Sequence, residues 1–287
     1  MKSNYIKETA MKIVFLIAAC TSVLAVVLIC VFLFANGIPA MGKIGVFKFL
    51  LGQTWKPGNN IFGILPMILG SIYVTAGAIA FGVPLALLTS IFLAKYCPKK
   101  AYGICKAGIN LMAGIPSVVY GFFGLVLMVP LIKNVFHLAN GNTMFTASIL
   151  LGIMILPTVV GVTESSLQSV PQSYYEGSLA LGATHSQSVY RTIVPAAKSG
   201  IIAGIVLGIG RAVGETMAVI MVAGNQARMP KGLMEGVRTL TSNIVLEMGY
   251  AADLHREALI ATGVVLFVFI LIINLVVSLL NRRSGNE

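Results

Sequence analysis

Six stretches of the chain are long and apolar enough to cross a lipid bilayer: residues 13–35, 62–94, 108–132, 144–167, 199–225 and 258–280. A spanning helix needs about 20 predominantly apolar residues, because the hydrocarbon interior is roughly 30 Å thick and a helix rises about 1.5 Å per residue. The second stretch has room for a tilted or interfacial entry segment. With 57% hydrophobic and only 10% charged residues among 287, the chain lacks the polar surface that a water-soluble core of this size requires. The expected fold class is therefore all-α and polytopic, with six transmembrane helices covered by membrane lipid. The run from Ile13 to Phe34 is longer than the roughly 7–15 apolar residues of a secretory signal, so it reads as a retained span.

The net charge of +11 belongs to the ends of these runs, as at Lys95, Lys99, Lys100, Lys106, Arg282 and Arg283. Such residues hold helix ends at the headgroups and orient the chain, basic side inward. With both termini inside, the inner segments carry eleven: Lys2, Lys7, Lys12, those at 95, 99, 100 and 106, Arg191, Lys198, Arg282 and Arg283. The outer loops carry eight, namely Lys43, Lys48, Lys56, Lys133, Arg228, Lys231, Arg238 and Arg256, and Arg211 lies within a span. This places cytoplasmic segments 1–12 and 281–287 on either side of one transmembrane domain, 13–280. No basic stripe is interleaved with aromatics, so nucleic acid is excluded as a partner. Cys20, Cys30, Cys97 and Cys105 have no C-x-x-C spacing, and His137, His185 and His255 fall in three different loops. No metal site, cofactor or catalytic constellation is expected from them. The outer loops are about 26, 11 and 32 residues long, the last running from Gln226 to Glu257, and none is large enough for a separate domain.

The connection between the fourth and fifth spans, 169–197, carries dense local signals. Pro171 suits a first helical turn, where its missing N–H is an orphan anyway. Gly182 suits the left-handed position that ends a helix, and Thr184 with Gln187 makes a capping box for the next one. Pro195 restricts its predecessor and marks the approach to the following span. The reading is two short helices joined by a glycine turn at the inner surface. They serve either as a rigid lever or as an amphipathic rest on the headgroups.

The fifth span holds Arg211 and Glu215, four residues apart, below Gly200, Gly204 and Gly208 at the same spacing. At about 100° per residue all five fall within an arc of roughly 80°. Charges inside a span cost a few kcal/mol or more each, and a glycine stripe admits a neighbouring backbone, so this face is expected to meet protein. Two roles stay open. Arg211 can offer charge-assisted donors to an anion while Glu215 holds the guanidinium in place between passages or gates it, or the two can be an ion pair that pins helices. In the third span Pro116 removes a helical hydrogen bond near Ser117 and Tyr120, which either lines a path or kinks a packed helix. Ile-Leu-Pro recurs at 64–66 and 155–157, too short an echo to establish inverted halves.

Glu176, Gly182 and Pro195 fall at the spacing of the EAA loop of ABC-importer permeases, with Gly177 and Ser178 in place of two alanines and Thr192 and Val194 in place of Ile and Leu. The run Gly210-Arg211-Ala212-Val213-Gly214-Glu215-Thr216-Met217-Ala218-Val219, followed by Val222-Ala223-Gly224-Asn225, resembles the signature of phosphate-importer permeases in its PstC-type version. Ala113 to Gly124 is similar to a second stretch of that family. The resemblance covers nearly the whole chain after about residue 50. It implies the type I ABC-importer permease fold in the cytoplasmic (inner) membrane, carrying inorganic phosphate. The implied partners are a PstA-like second permease subunit, two cytoplasmic ATPase subunits and an external phosphate-binding protein. Coupling to the ATPase would fall to Glu176, Gly177, Ser178, Gly182, Thr184 and Pro195. The substrate path would include Arg211, Glu215, Thr216, Ser117 and Tyr120, with helix packing through Gly200, Gly204 and Gly208. The chain has no G-x-x-x-x-G-K-[ST] loop, so ATP is expected to be used by partner subunits and this chain to be no enzyme. The outer loop 226–257 is the expected docking surface for the binding protein. Rival expectations are a sulfate or molybdate permease, and an ion-coupled secondary transporter, which would show broken spans paired across two halves.

Overall fold

A computed structural model describes residues 2–284, with side chains described over 8–276 and at 279. Met1 and residues 285–287 of the expected terminal segments lie outside the described residues, as do the side chains of Lys2, Lys7, Arg282 and Arg283.

The apolar runs form helices because a helix satisfies its own backbone groups where no water is at hand. In order these are α1 (Lys2–Ile44), the short α2 (Val46–Leu51), an antiparallel hairpin of β1 (Trp55–Lys56) and β2 (Ile61–Phe62), and α3 (Leu65–Ile91). A π-helical turn carries α3 on to Tyr96, after which come α4 (Lys99–Gly114), α5 (Ser117–Phe123), a second π-helical turn and α6 (Val129–Val135). Then follow α7 (Met144–Ser169), α8 (Gln172–Ala180), α9 (His185–Ser188), α10 (Val194–Ala196), α11 (Lys198–Gly214), α12 (Met217–Val222), α13 (Leu240–Met248) and α14 (Asp253–Ser284). Residues 2–12 and 281–284 continue α1 and α14.

Five helical runs have the length and composition of a span: Glu8–Ile44, Leu65–Tyr96, Ser117–Val135, Met144–Ser169 and Asp253–Val276. A sixth appears when the pair His185–Ala196 and Lys198–Gly214, bent by 69°, counts as one. The six expected spans are thus present, but two are not the continuous helices that hydropathy predicted. The third, expected over 108–132, begins at Ser117; its first part belongs to α4, because Pro116 forces Ile115 into extended backbone (φ −72°, ψ 125°). The fifth, expected over 199–225, breaks at Glu215, which is also extended (φ −68°, ψ 131°). A third correction runs the other way. Val194, before Pro195, stays helical (φ −63°, ψ −46°), because the π-helical turn Val189–Ile193 absorbs the irregularity that proline introduces.

The packing centre is α7, whose Met154, Ile155, Val159 and Val160 are buried. Its contact with α3 is close because small residues meet there: a Cβ on Gly82 would stand 2.6 Å from the Gly152 carbonyl oxygen. Lipid is as apolar as leucine, so close packing and polar bonds, rather than expulsion from water, hold such helices together. At the end opposite α8, Phe49, Trp55, Phe62, Met67, Leu240 and Leu259 form a second core.

That core surrounds a polar hub that hydropathy gave no reason to expect. Buried Glu247 accepts from Trp55 Nε1 (2.8 Å), lies 2.9 Å from His255 Nε2 and pairs with Arg238. Arg238 also donates to the Asn225 carbonyl (3.0 Å) and to Asn243 Oδ1 (3.1 Å). Residues 226–257 are therefore a folded cover tied to the hairpin and α14, not a loose loop.

Candidate functional site

The segment between α7 and α11 has most of the local structure its sequence encodes. Pro171, expected in the first turn, is instead the extended N-cap of α8 (φ −54°, ψ 136°), and Gly182 ends that helix with φ +86° while its N–H bonds the Leu179 carbonyl (2.9 Å). Both halves of the capping box form: Thr184 N–H donates to Gln187 Oε1 (2.9 Å) and Gln187 N–H to Thr184 Oγ1 (3.3 Å). The two short helices are braced, Tyr175 hydroxyl lying 2.8 Å from His185 Nδ1 and the Tyr96 ring centroid 4.8 Å from that of His185. Beneath them Ile91, Leu167, Val189 and Ile193 make a small core joining α3, α7 and this segment. Glu176, Gly177 and Leu181 point outward, Leu181 with 91% of its surface exposed. A braced scaffold with an exposed tip transmits force rather than absorbing it. A Cβ at Gly182 would meet nothing within 4 Å, so Gly182→Val acts through the backbone alone, at a local cost of about 1–2 kcal/mol. Amide hydrogen exchange over 172–188 should rise in that variant and stay near the parent's in Gly182→Asn.

The glycine stripe meets α7, as the sequence indicates. A Cβ on Gly200 would collide with the Ser166 side chain, on Gly204 would stand 3.0 Å from Thr163 Oγ1, and on Gly208 2.6 Å from Val159 Cγ2. Arg211 extends this row, its Nη1 donating to Thr158 Oγ1 on α7 at 3.2 Å. Gly208→Leu should therefore lower stability by about 1–3 kcal/mol through overpacking. Gly210→Leu, with open space around it, should not. Thermal unfolding of the purified protein distinguishes the two.

Arg211 and Glu215 do not pair; no ion pair joins them among the described residues. At the break Glu215 is extended, and its Oε1 accepts from the N–H groups of Thr216 and Ala218 (both 3.1 Å), capping α12. Thr241, at the start of α13, donates to the Glu215 carbonyl at 3.1 Å. The other break is stapled in the same manner, Tyr120 hydroxyl donating to the Met112 carbonyl across Pro116 at 2.9 Å. Beyond the breaks α5 and α12 lie against each other: a Cβ on Gly121 would stand 2.9 Å from Ala218 Cα, and one on Gly124 2.8 Å from Val222 Cγ1. The structure thus brings Ser117, Tyr120, Arg211, Glu215 and Thr216 to two neighbouring helix breaks. The kink at Pro116 is a full interruption, and both roles that set Glu215 on the Arg211 guanidinium, as its holder and as a helix-pinning ion pair, are withdrawn because Glu215 caps α12 instead.

Sequence reasoning missed three participants. Thr158 and Thr241 carry no local signal, since each acts across helices. Glu164, buried on α7, accepts from Tyr102 hydroxyl (2.7 Å) and Gln168 Nε2 (3.1 Å) and pairs with Lys106 of α4. Its signal was available: it is an acidic residue inside the fourth apolar run.

Comparison with known proteins gives a family profile described as binding-protein-dependent transport system inner membrane component, matching residues 82–286. A probable ABC transporter permease protein of Bacillus subtilis, YqgH, is 35% identical over 276 residues, covering 93% of this chain and 89% of that one. The phosphate transport system permease protein PstC of Mesorhizobium japonicum is 34% identical over 261 residues, covering 84% and 80%. The probable phosphate transport system permease protein PstC of Methanocaldococcus jannaschii is 31% identical over 274 residues, covering 87% and 86%. Among solved structures, a chain of a bacterial ABC transporter that imports the acidic polysaccharide alginate superposes with a TM-score of 0.63 at 15% identity, covering 93% and 95%. A chain of the MetNI methionine ABC transporter, in an inward-facing conformation, gives 0.61 at 20% identity, covering 80% and 99%.

Proposed function

The chain belongs to the binding-protein-dependent transport system inner membrane components, the permease subunits of ABC importers, and we propose that what it passes is inorganic phosphate. The observation that carries this reading is the state of Arg211. It stands half-buried beside a break in its helix with one N–H on Thr158, and its remaining donors meet no protein acceptor among the described residues. Unengaged guanidinium N–H groups suit the oxygens of a tetrahedral anion. Glu215 adds selectivity: its Oε2 accepts no hydrogen bond among the described residues. Hydrogen phosphate carries a hydroxyl donor for such an acceptor, and sulfate at neutral pH does not. The PstC relatives support the same substrate, and the family's fold supports a path between this chain and a PstA-like second permease.

In this reading both termini are cytoplasmic, flanking the domain 13–280, and 169–197 is the coupling loop. Glu176, Gly177 and Ser178 on α8, the Gly182 turn, the Thr184 cap and Pro195 dock on two ATPase subunits, which bind and hydrolyse the ATP; the chain itself holds no cofactor. A phosphate-binding protein docks outside on the folded cover at 226–257. ATPase closure draws the coupling loops together, which moves the inner half-helices and opens the breaks near Ser117, Tyr120, Arg211, Glu215 and Thr216 toward the delivered anion. Broken helices also occur in ion-coupled carriers. The structured loop 169–197, for which such a carrier has no use, supports the ATP-driven reading. ATP hydrolysis by the assembled complex tests the docking. Phosphate-loaded binding protein should stimulate it severalfold over the phosphate-free form, and an indifferent rate would contradict the coupling.

A further inference from the structure

Besides α3, two helices flank α7 on its coupling-loop half, α11 through the glycine stripe and α4 through Glu164. Their contact residues on α7 define the space between them. At about 100° and 1.5 Å per residue, Thr158 and Glu164 are some 120° apart around α7 and about 9 Å apart along it. Gly161 lies midway, and a Cβ there would meet nothing within 4 Å. Ser165 and Gln168 lie on the same open side and are exposed. These residues make a small, polar strip on α7 between its contact with Arg211 of α11 and its contact with Lys106 of α4.

We propose that Lys106 is a second cationic contact for the transported anion, on the exit side of Arg211, and that Glu164 and Tyr102 position it there. This rests on the reading of Arg211 as a path residue. Glu164 is 1% exposed and holds three donors: the Lys106 ammonium, the Tyr102 hydroxyl at 2.7 Å and Gln168 Nε2 at 3.1 Å. The ammonium has three N–H groups and its side chain is 31% exposed, so it keeps donors to offer beside this strip while bonded to the carboxylate. When Lys106 leans toward an anion, Tyr102 and Gln168 keep Glu164 solvated. The carboxylate thus also limits how tightly the anion is held, since a lone lysine there would bind it strongly and slow its release. α4 is interrupted at both ends, by Cys97–Pro98 and by Ile115–Pro116, so its position against α7 rests on contacts such as this pair and not on a continuous helix.

The competing role is a structural pin between α4 and α7. The test uses the assembled complex in proteoliposomes with loaded binding protein outside, reading phosphate moved and ATP hydrolysed. In Lys106→Gln with Glu164→Gln, a neutral amide pair replaces the ion pair and keeps the bridge. Transport is expected to fall about tenfold while binding-protein-stimulated ATP hydrolysis persists, so ATP used per phosphate rises. Lys106→Arg should transport within about twofold of the parent, because the cation is kept. Parental transport by the double variant would overturn the proposal. So would a joint loss of transport and stimulated hydrolysis, or failure to assemble, either of which marks a pin alone. The parent in the same assay judges the substrate separately. If it carries sulfate instead of phosphate, the phosphate reading fails, while the variant-to-parent ratio still tests Lys106 against the anion carried.

Discussion

Arg211→Ala is expected to cut phosphate transport by about 10- to 100-fold in a complex that still assembles. The magnitude follows from losing charge-assisted hydrogen bonds worth about 1.5–3 kcal/mol to an anion in a poorly hydrated path, at about 1.4 kcal/mol per tenfold. Arg211→Lys should fall between, because it keeps the charge but loses the planar fork. The structure also offers a bland role, in which Arg211 merely ties α11 to α7 through Thr158. Thr158→Val separates the two. It removes the tie and leaves the guanidinium, so a path role predicts an effect of only a few fold, about 1 kcal/mol for one neutral acceptor. Equal damage from Thr158→Val and Arg211→Ala, measured as uptake per assembled complex, would reduce Arg211 to a brace.

Glu247→Leu should be the most destabilising single change in the cover, at about 3–5 kcal/mol. It leaves the guanidinium of Arg238, only 16% exposed, without its carboxylate, and the Trp55 N–H without an acceptor. The hub joins the hairpin, α13 and α14, so its loss should loosen all three together. Thermal unfolding in detergent and proteolysis within 226–257 would record it. Adding Arg238→Met should recover part of the loss, since the stranded charge goes with it; no recovery would show that the ion pair is not the source.

These sites differ in how legible they were. Thr184 with Gln187 and Gly182 were readable because a capping box and a left-handed glycine involve only neighbouring residues. The glycine stripe was readable because its spacing of four matches a helix face, and the partner it found, α7, came from the fold. The break at Glu215 was hidden inside an apolar run: its cause is a carboxylate turning back to cap α12 and a hydroxyl arriving from Thr241. Hydropathy sees neither. Pro116 did announce the other break, but the apolar residues on both sides made one span of what are two helices. Glu164 and Glu247 were visible as acids yet not interpretable, because their partner sets include distant residues, Tyr102 and Lys106 for the first (62 and 58 positions away) and Trp55 for the second (192). The phosphate signature found a counterpart in the PstC relatives, while the pairing of Arg211 with Glu215 that the spacing invited does not occur.

The most direct measurement is uptake of radiolabelled phosphate by the assembled complex in proteoliposomes, with ATP inside, binding protein outside and excess sulfate as competitor. Uptake is expected to require both ATP and the binding protein and to be untouched by sulfate. Uptake without ATP, driven by an ion gradient, would contradict the coupling of the 169–197 loop to an ATPase. Displacement of phosphate by sulfate would contradict the substrate assigned to Arg211 and Glu215.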